Sequence, residues 1–576
     1  MPIHNNDVAD IFDEVADLLE IKGDNPFRVR AYRNAARTVA GLSRSVADLA
    51  GEEQGLDGIP GIGKDLAEKI RTIVATKNLP FLENLKQELP EGLSTLMKIR
   101  GLGPKKVAVL YRELKISSVE ALKKAVAAGK IRELPGFSVK TEQSLLEELG
   151  RTKVSDRGPD RFKRARAEQI VTPLFAELKM AKGLEEAAIA GSYRRQAETV
   201  GDVDILAAAE AGADITKRFV HYDDVVKVLA EGETKSSVVL RGGLQVDLRV
   251  VPIASFGAAL HYFTGSKAHN IAVRTMGIKR KLKINEYGVF RGEKMIAGRT
   301  EAEVYKTVGL PYIEPELRED RGELQAAAKG KLPHLVELKD IKGDLHAHTE
   351  ATDGRYSALE MAEAAKAHGY EYLAITDHSQ HVTVARGMDA KRLAKSIKEM
   401  DKINAKLKGF TLLKSIELDI LVDGSLDLPD GILDDLDLVV VSVHYNFKLP
   451  KEKQTERVIR ALDNPRVNIF GHPSGRLINE RPPYEIDLER VMRAAVERGC
   501  FLEVNSHPDR LDLDDVHCQM AKGMGLKLAL STDAHSIDDL DLMRFGIGQA
   551  RRGWIEPSDV INTRRLPELR KLLKRT

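Results

Sequence analysis

At 576 residues the chain is too long for one hydrophobic core, and the usual domain size suggests about four units. A hydrophobic content of 43% with 31% charged residues excludes a disordered or fibrous chain. The net charge of +2 excludes a uniformly basic one but leaves local basic patches open.

The N-terminus, "MPIHNNDVADIFDEVADLLE", lacks the basic start and apolar run of a signal peptide. No later stretch is apolar for the length of a membrane span, so a soluble, cytoplasmic protein is expected. Cys500 and Cys518, the only cysteines, have no spacing for a disulfide framework or a zinc site and read as ordinary thiols.

Val8, Ile11, Phe12, Val15, Leu18 and Leu19 recur at helical spacing and open an all-helical region. Three segments in it resemble one another: "IPGIGKDLAEKI" (59–70), "IRGLGPKKVAVL" (99–110) and "LPGFSVKTEQSLL" (134–146). Each is an apolar residue, a Gly-containing turn and an amphipathic helix, an internal repeat. After the basic stretch "RGPDRFKRARAEQI" the pattern changes to strands at "EEAAIAGSY", "VGDVDILAA" and "LQVDLRVVP", a separate α+β unit. The charged segment 314–342, with Pro and Gly, suits a linker with one helical piece. Beyond it "YLAIT", "LDLVVVSV", "VNIFG", "CFLEVN" and "LKLALS" alternate with helical patterns, the rhythm of a βα barrel or layered α/β domain.

Asp202 and Asp204 lie two apart on a predicted strand and project from one face. Asp247, on another alternating strand, completes three hard oxygen ligands that suit Mg²⁺ held together with substrate phosphates. Alone, D-x-D reads as a solvated edge; its neighbour "GSYRR" (191–195) adds a hydroxyl and two guanidinium groups where a triphosphate can be held. G-S-x-R-R followed by D-x-D, with "YFTGSKAHNIAVR" and "INEYG" downstream, resembles the DNA polymerase X family of gap-filling repair polymerases. The resemblance implies Asp202, Asp204 and Asp247 as the catalytic, metal-binding triad of the palm, with Mg²⁺ or Mn²⁺. It places Ser192 and Arg195 at the triphosphate, Tyr262 and Phe263 by the sugar, Asn270 at the base and Arg274 at the template. Gln196 departs from the pattern, which often has Gly after the double Arg.

The Gly turns lack the spacing of a P-loop. They resemble the helix-hairpin-helix motif, in which backbone N–H groups cradle a DNA phosphate without reading sequence. Gly61, Gly63, Lys64, Gly101, Gly103 and Lys105 would contact DNA, whereas the degenerate third copy reads equally as a helix-terminating glycine. Lys69 stands where polymerase X proteins carry a lyase lysine, with Arg28, Tyr32, Arg33 and Lys64 as the implied 5′-phosphate pocket. Phe27 and Asp65 replace a histidine and a basic residue of that pattern.

In "DLHAHTEATDG", His346 and His348 point the same way if they end a strand, and Asp353 returns from the loop. His378, Glu417, His444, His472, Asp533 and His535 follow successive apolar runs, as on the rim of a barrel. This order resembles the PHP (polymerase and histidinol phosphatase) family, a distorted (β/α)7 barrel. The resemblance implies up to three ions and metal-assisted phosphoester hydrolysis. Mixed imidazole and carboxylate ligation suits Mn²⁺ or Zn²⁺. Arg386 and Arg476, in ligand-bearing loops, are candidate phosphate contacts.

Together the resemblances imply a bacterial-type family X DNA polymerase with a C-terminal PHP domain. The expected organisation is a helical DNA-end-binding domain (1–90), a helix-hairpin-helix fingers-like domain (91–150), palm (151–253), thumb (254–320), linker (321–341) and PHP domain (342–576). Gapped or nicked DNA and dNTPs are the expected partners of a monomer that fills short gaps and trims 3′ ends, with AP endonuclease or 3′-phosphatase activity implied by the family. The basic "RFKRAR" and "MGIKRKLKI" fit a DNA track or a solvated face. A small-molecule PHP phosphatase and a non-catalytic DNA-binding scaffold are the alternatives.

Overall fold

The computed structural model describes residues 5–574 apart from 41, 43–45, 53–54, 57–58, 60, 91, 98, 100–101, 151–160 and 210–213. It divides into two compact units, Met1–Arg161 and Phe162–Thr576. No helix among the described residues is long and apolar enough to cross a membrane.

The first unit is helical and has two cores. Phe12, Tyr32, Ile70 and Leu82 belong to one, and Leu93, Val107, Leu122 and Leu145 to the other. The Gly turns close alike in all three repeats. Ile62 N donates to Ile59 O, Leu102 N to Ile99 O and Phe137 N to Leu134 O, each at 3.0 Å. Helices Lys64–Thr76, Pro104–Leu114 and Val139–Gly150 follow at once. In the third copy Ser138 replaces the second glycine, and its Oγ accepts from Thr141 N at 3.2 Å, a helix cap that Gly63 and Gly103 cannot supply. Gly61 and Gly136 have φ of +91° and +83°, so the turn itself requires their glycines. The third copy thus shares the hairpin backbone and is not a mere helix terminator.

The second unit begins with a five-stranded sheet in the order Leu184–Ile189, Asp202–Ala209, Gln245–Val251, Lys235–Leu240, Val225–Ala230. Strand Asp202–Ala209 sends Val203, Ile205 and Ala207 into one core, and Leu206 and Ala208 into another with Phe256. At its start Asp202 is exposed and Asp204 half-buried. Helices Phe256–Thr264 and Lys267–Lys279, a three-stranded sheet and helix Glu301–Thr307 follow.

The segment expected as a linker is packed. Glu323, Leu324, Ala327, Leu335 and Val336 are buried, and Val336 N bonds Ile555 O at 2.9 Å. Its apolar positions are few, but Leu324, Ala327, Leu335, Val336 and Ile341 are buried, which charge content alone concealed.

Seven parallel strands then follow in chain order from Gly343–Ala347 to Leu528–Ser531. Asp533 N donates to His346 O at 3.0 Å and His348 N to Ala534 O at 2.8 Å, joining last strand to first as a barrel. The outer helices are built from local signals. In Leu488–Arg498, Asp487 caps the start, Leu488, Val491, Met492 and Ala495 face the core, and Gly499 at φ +69° ends the helix. Cys500 and Cys518 are both buried, and no disulfide joins them.

Candidate active sites

Strands Asp202–Ala209 and Gln245–Val251 pair in parallel with Asp204 directly opposite Asp247, and Asp202 lies on the same face. Gln245 Nε2 donates to Asp247 Oδ1 at 3.0 Å. Burial, then the charges of Asp202 and Asp247, push the Asp204 carboxyl up to about 7. A divalent cation would relieve that repulsion, and an all-oxygen donor set fits Mg²⁺ or Mn²⁺.

The turn Gly191–Arg194 closes over the triad. A Cβ at Gly191 would stand 2.8 Å from Asp204 Oδ2, and its φ is +66°, so only glycine permits this approach. Ser192 is half-buried beside it. Arg195 is anchored rather than free, with Nε donating to Glu319 Oε1 at 2.9 Å and Nη1 to Thr264 O at 2.6 Å. Gln196 takes φ +60°, the conformation that glycine adopts without cost.

Arg194 Nη1 and Nη2 bond Glu301 at 2.9 and 2.6 Å, and Arg318 Nη1, on a fully buried side chain, bonds the same carboxylate at 2.5 Å. Burial would raise the Glu301 carboxyl, but its bonds to Arg194 and the Arg318 charge outweigh this and hold it down at about 2. A depressed carboxyl stabilises the fold fully above its unfolded value of 4.5 and loses that contribution as pH falls toward 2. Glu301→Gln is therefore expected to cost about 3 kcal/mol near neutral pH. In denaturant unfolding the gap from wild type should narrow by pH 3; an equal gap at both pH values would contradict the linkage.

In the thumb, the half-buried rings of Tyr262 and Phe263 meet edge-on at 5.2 Å. Asn270 Nδ2 donates to Tyr262 O at 2.7 Å, while its Oδ1 is buried with no partner among the described residues. Arg274 is exposed one helical turn on, near exposed Lys279, Arg280, Lys281 and Lys283.

The N-terminal candidates are less uniform. Gly61, Gly63, Lys64, Gly103 and Lys105 are exposed, and Gly101 lies outside the described residues. Arg28 stacks over Phe81 at 4.7 Å and remains exposed. Arg33 is spent on Asp17 and Glu20, at 2.6 and 2.9 Å, and Tyr32 is 1% exposed, its ring packed against Phe12 and Phe81. Lys69 is paired with Asp65, whereas attack on a sugar aldehyde needs the free amine.

In the barrel, three ligand groups each draw their donor atoms within 4.8 Å: His348, Asp353, His378 and His535; His346, His348 and Asp533; His378, Glu417 and His444. His472 lies outside these groups, with Nε2 2.9 Å from Glu417 Oε1. Burial would raise the Glu417 carboxyl, but His444, His346 and His378 hold it well below the usual range. Among the described residues His346 Nε2 and His348 Nδ1 are buried without a hydrogen-bond partner, and with the neighbouring imidazoles and carboxylates they make a donor set that fits transition-metal ions.

Residues not expected from sequence support the cluster. Glu503 accepts from His346 Nδ1 at 2.8 Å and from His472 N at 2.6 Å. Asp419 lies 3.2 Å from His444 Nδ1, and Asn505 donates to Asp533 at 3.1 Å. The available signal for Glu503 was a carboxylate inside the apolar run "CFLEVN". Arg386 is exposed and bonds Glu350 O and Thr352 O. Arg476 Nη2 bonds Glu198 at 2.6 Å. Part of "RFKRAR" is likewise spent: Lys163 pairs with Glu480 and Asp509, and Arg164 is buried over Phe545.

Models of known families match along the chain in the same order. They are the helix-hairpin-helix domain (residues 3–79), the SAM-like helix-hairpin-helix tandem (93–151), the DNA polymerase beta palm (161–248), the DNA polymerase beta thumb (259–319) and the PHP domain (344–507). Palm, thumb and barrel with these two clusters define a DNA polymerase joined to a PHP phosphoesterase domain. The chain is 39% identical to the DNA polymerase/3′-5′ exonuclease PolX of Bacillus subtilis (strain 168), over 100% of both chains, and it belongs to the PolX family. A probable phosphatase of Thermoanaerobacter sp. (strain X514) is 33% identical over 38% of this chain and 89% of its own length. One of Syntrophotalea carbinolica is 28% identical over 38% and 90%.

Proposed function

We propose that this family X enzyme fills short DNA gaps by template-directed dNTP addition and trims 3′ termini at its barrel. The observation that carries the first activity is the register of Asp204 against Asp247 beneath the Gly191 turn. Asp202, Asp204 and Asp247 would hold Mg²⁺ or Mn²⁺, which supplies activation of the primer hydroxyl and charge stabilisation of the leaving phosphate. Arg195 and Ser192 orient the triphosphate, Tyr262 and Phe263 wall the sugar, and Asn270 meets the base edge. Arg274 and the helix-hairpin-helix turns hold the DNA backbone, so binding follows DNA structure more than sequence.

In the barrel, His346, His348, Asp353, His378, Glu417, His444, His472, Asp533 and His535 would hold up to three Mn²⁺ or Zn²⁺ ions, which supply Lewis-acid activation for phosphoester hydrolysis. Glu503 and Asp419 orient His346 and His444 by bonding the ring nitrogen turned away from Glu417. The same donor set suits 3′-phosphate removal and cleavage beside an abasic site. Lyase chemistry at Lys69 is left out, given its pairing with Asp65.

A labelled one-nucleotide-gapped duplex with a 5′-phosphate, incubated with Mn²⁺, tests both activities. The primer should lengthen by one nucleotide with dNTPs and shorten without them. Bound DNA whose primer never changes length would instead favour a scaffold, despite the full ligand sets.

A further inference from the structure

The turn that carries Arg195 is held from outside the polymerase domain. Helix Met543–Arg552 of the barrel ends in Arg552, whose side chain is 11% exposed. Its Nη1 donates to Arg195 O and to Glu319 Oε1, both at 2.8 Å, and its Nη2 to Asp515 Oδ2 at 2.7 Å. Glu319 Oε1 is the same oxygen that accepts Arg195 Nε. Arg321 closes the far side, with Nη2 2.8 Å from the same Asp515 oxygen.

One guanidinium thus ties the palm turn, the segment after the thumb and the barrel. One helical turn back, a Cβ at Gly548 would stand 2.8 Å from Gln196 Oε1, so the Gln196 side chain lies against the same helix. This accounts for the residue that departs from the family pattern: Gln196 is a contact with the barrel.

Arg195, Arg552 and Arg321 share the carboxylates of Glu319 and Asp515. The described bonds of Arg195 use Nε and Nη1 and leave Nη2. Its position is set before any phosphate arrives, because Glu319 is itself fixed by Arg552 and Thr264 O fixes the other edge. Without Arg552, the Arg195 carbonyl would lose its donor and Glu319 one of its two cations.

We propose that Arg552, a barrel residue, is a positioning residue for the polymerase site: it holds Glu319 and the Arg195 turn so that Arg195 meets the triphosphate preformed. The proposal rests on the polymerase reading above. PHP barrel and palm are then one mechanical unit, although their chemistry is separate.

Single-nucleotide gap filling by the full chain tests this. Arg552→Ala should raise the KM for dNTP roughly tenfold, the scale of one lost charge-assisted hydrogen bond, with a much smaller change in kcat. Arg552→Lys, which keeps the charge without the planar fork, should recover part of the loss. Arg551→Ala removes a neighbouring contact, Arg551 Nε to Glu316 at 2.8 Å, and should leave the KM unchanged. Trimming without dNTPs and thermal unfolding, measured on the same preparations, report the fold.

A wild-type KM in a folded Arg552→Ala protein overturns the proposal, as does an equal rise in Arg551→Ala. If Arg552→Ala does not fold, Glu319→Gln decides: a raised KM supports positioning, and an unchanged or lowered one overturns it. A wild-type protein that trims but adds no nucleotide would instead sink the polymerase reading itself.

Discussion

Replacing Asp204 by alanine is expected to abolish nucleotide addition, by a factor of about 10³ or more, and to leave 3′ trimming in place. Asp204 is the centre of the triad, two residues from Asp202 on its own strand and opposite Asp247 on the next. Its carboxyl carries the repulsion of both neighbours, so it has the most to gain from a divalent cation. Alanine leaves two carboxylates that no longer share a common neighbour, and the primer hydroxyl and leaving phosphate lose charge stabilisation together. Asp204→Asn keeps shape and removes charge; it should fail almost as completely, which separates electrostatics from packing. Primer extension on the gapped duplex reads both variants. Extension within tenfold of wild type in either would remove Asp204 from the site, and loss of trimming would mean that the substitution damaged the fold.

Glu417→Gln is expected to produce the reverse pattern, with trimming reduced by about 10³ or more and extension retained. Glu417 is buried among five imidazoles, lying 2.9 Å from His378 Nδ1 and His472 Nε2, 3.3 Å from His444, 3.4 Å from His346 and 3.7 Å from His348. No other ligand touches so many. Glutamine preserves volume but removes the one charge that these rings share, so bound metal per protein should fall as well. Metal content by elemental analysis gives a readout independent of turnover. Unchanged trimming with unchanged metal content would sink the assignment of Glu417 as a ligand.

Much of this was legible before any coordinates. A strand alternates faces with a period of two, so D-x-D and H-x-H announce paired ligands from local spacing alone. The glycine turns announced themselves by position, and Gly61 and Gly136 indeed take the conformation that needs glycine. Lys163, Arg33 and Arg476 read as cations available to DNA or phosphate, yet each ends on a carboxylate. Charge in a sequence has no address until the fold supplies its partner.

What the sequence by itself determined is the order of the matched families and the candidate ligands that share a strand or follow one. Only the tertiary structure decided how those ligands are supported. Glu503 reaches His346 across 157 residues of chain, and Arg552 reaches the Arg195 carbonyl across 357. Local periodicity places a side chain on a face, but hydrogen bonds act over about 3 Å, and which distant residue arrives within that range depends on how whole elements pack.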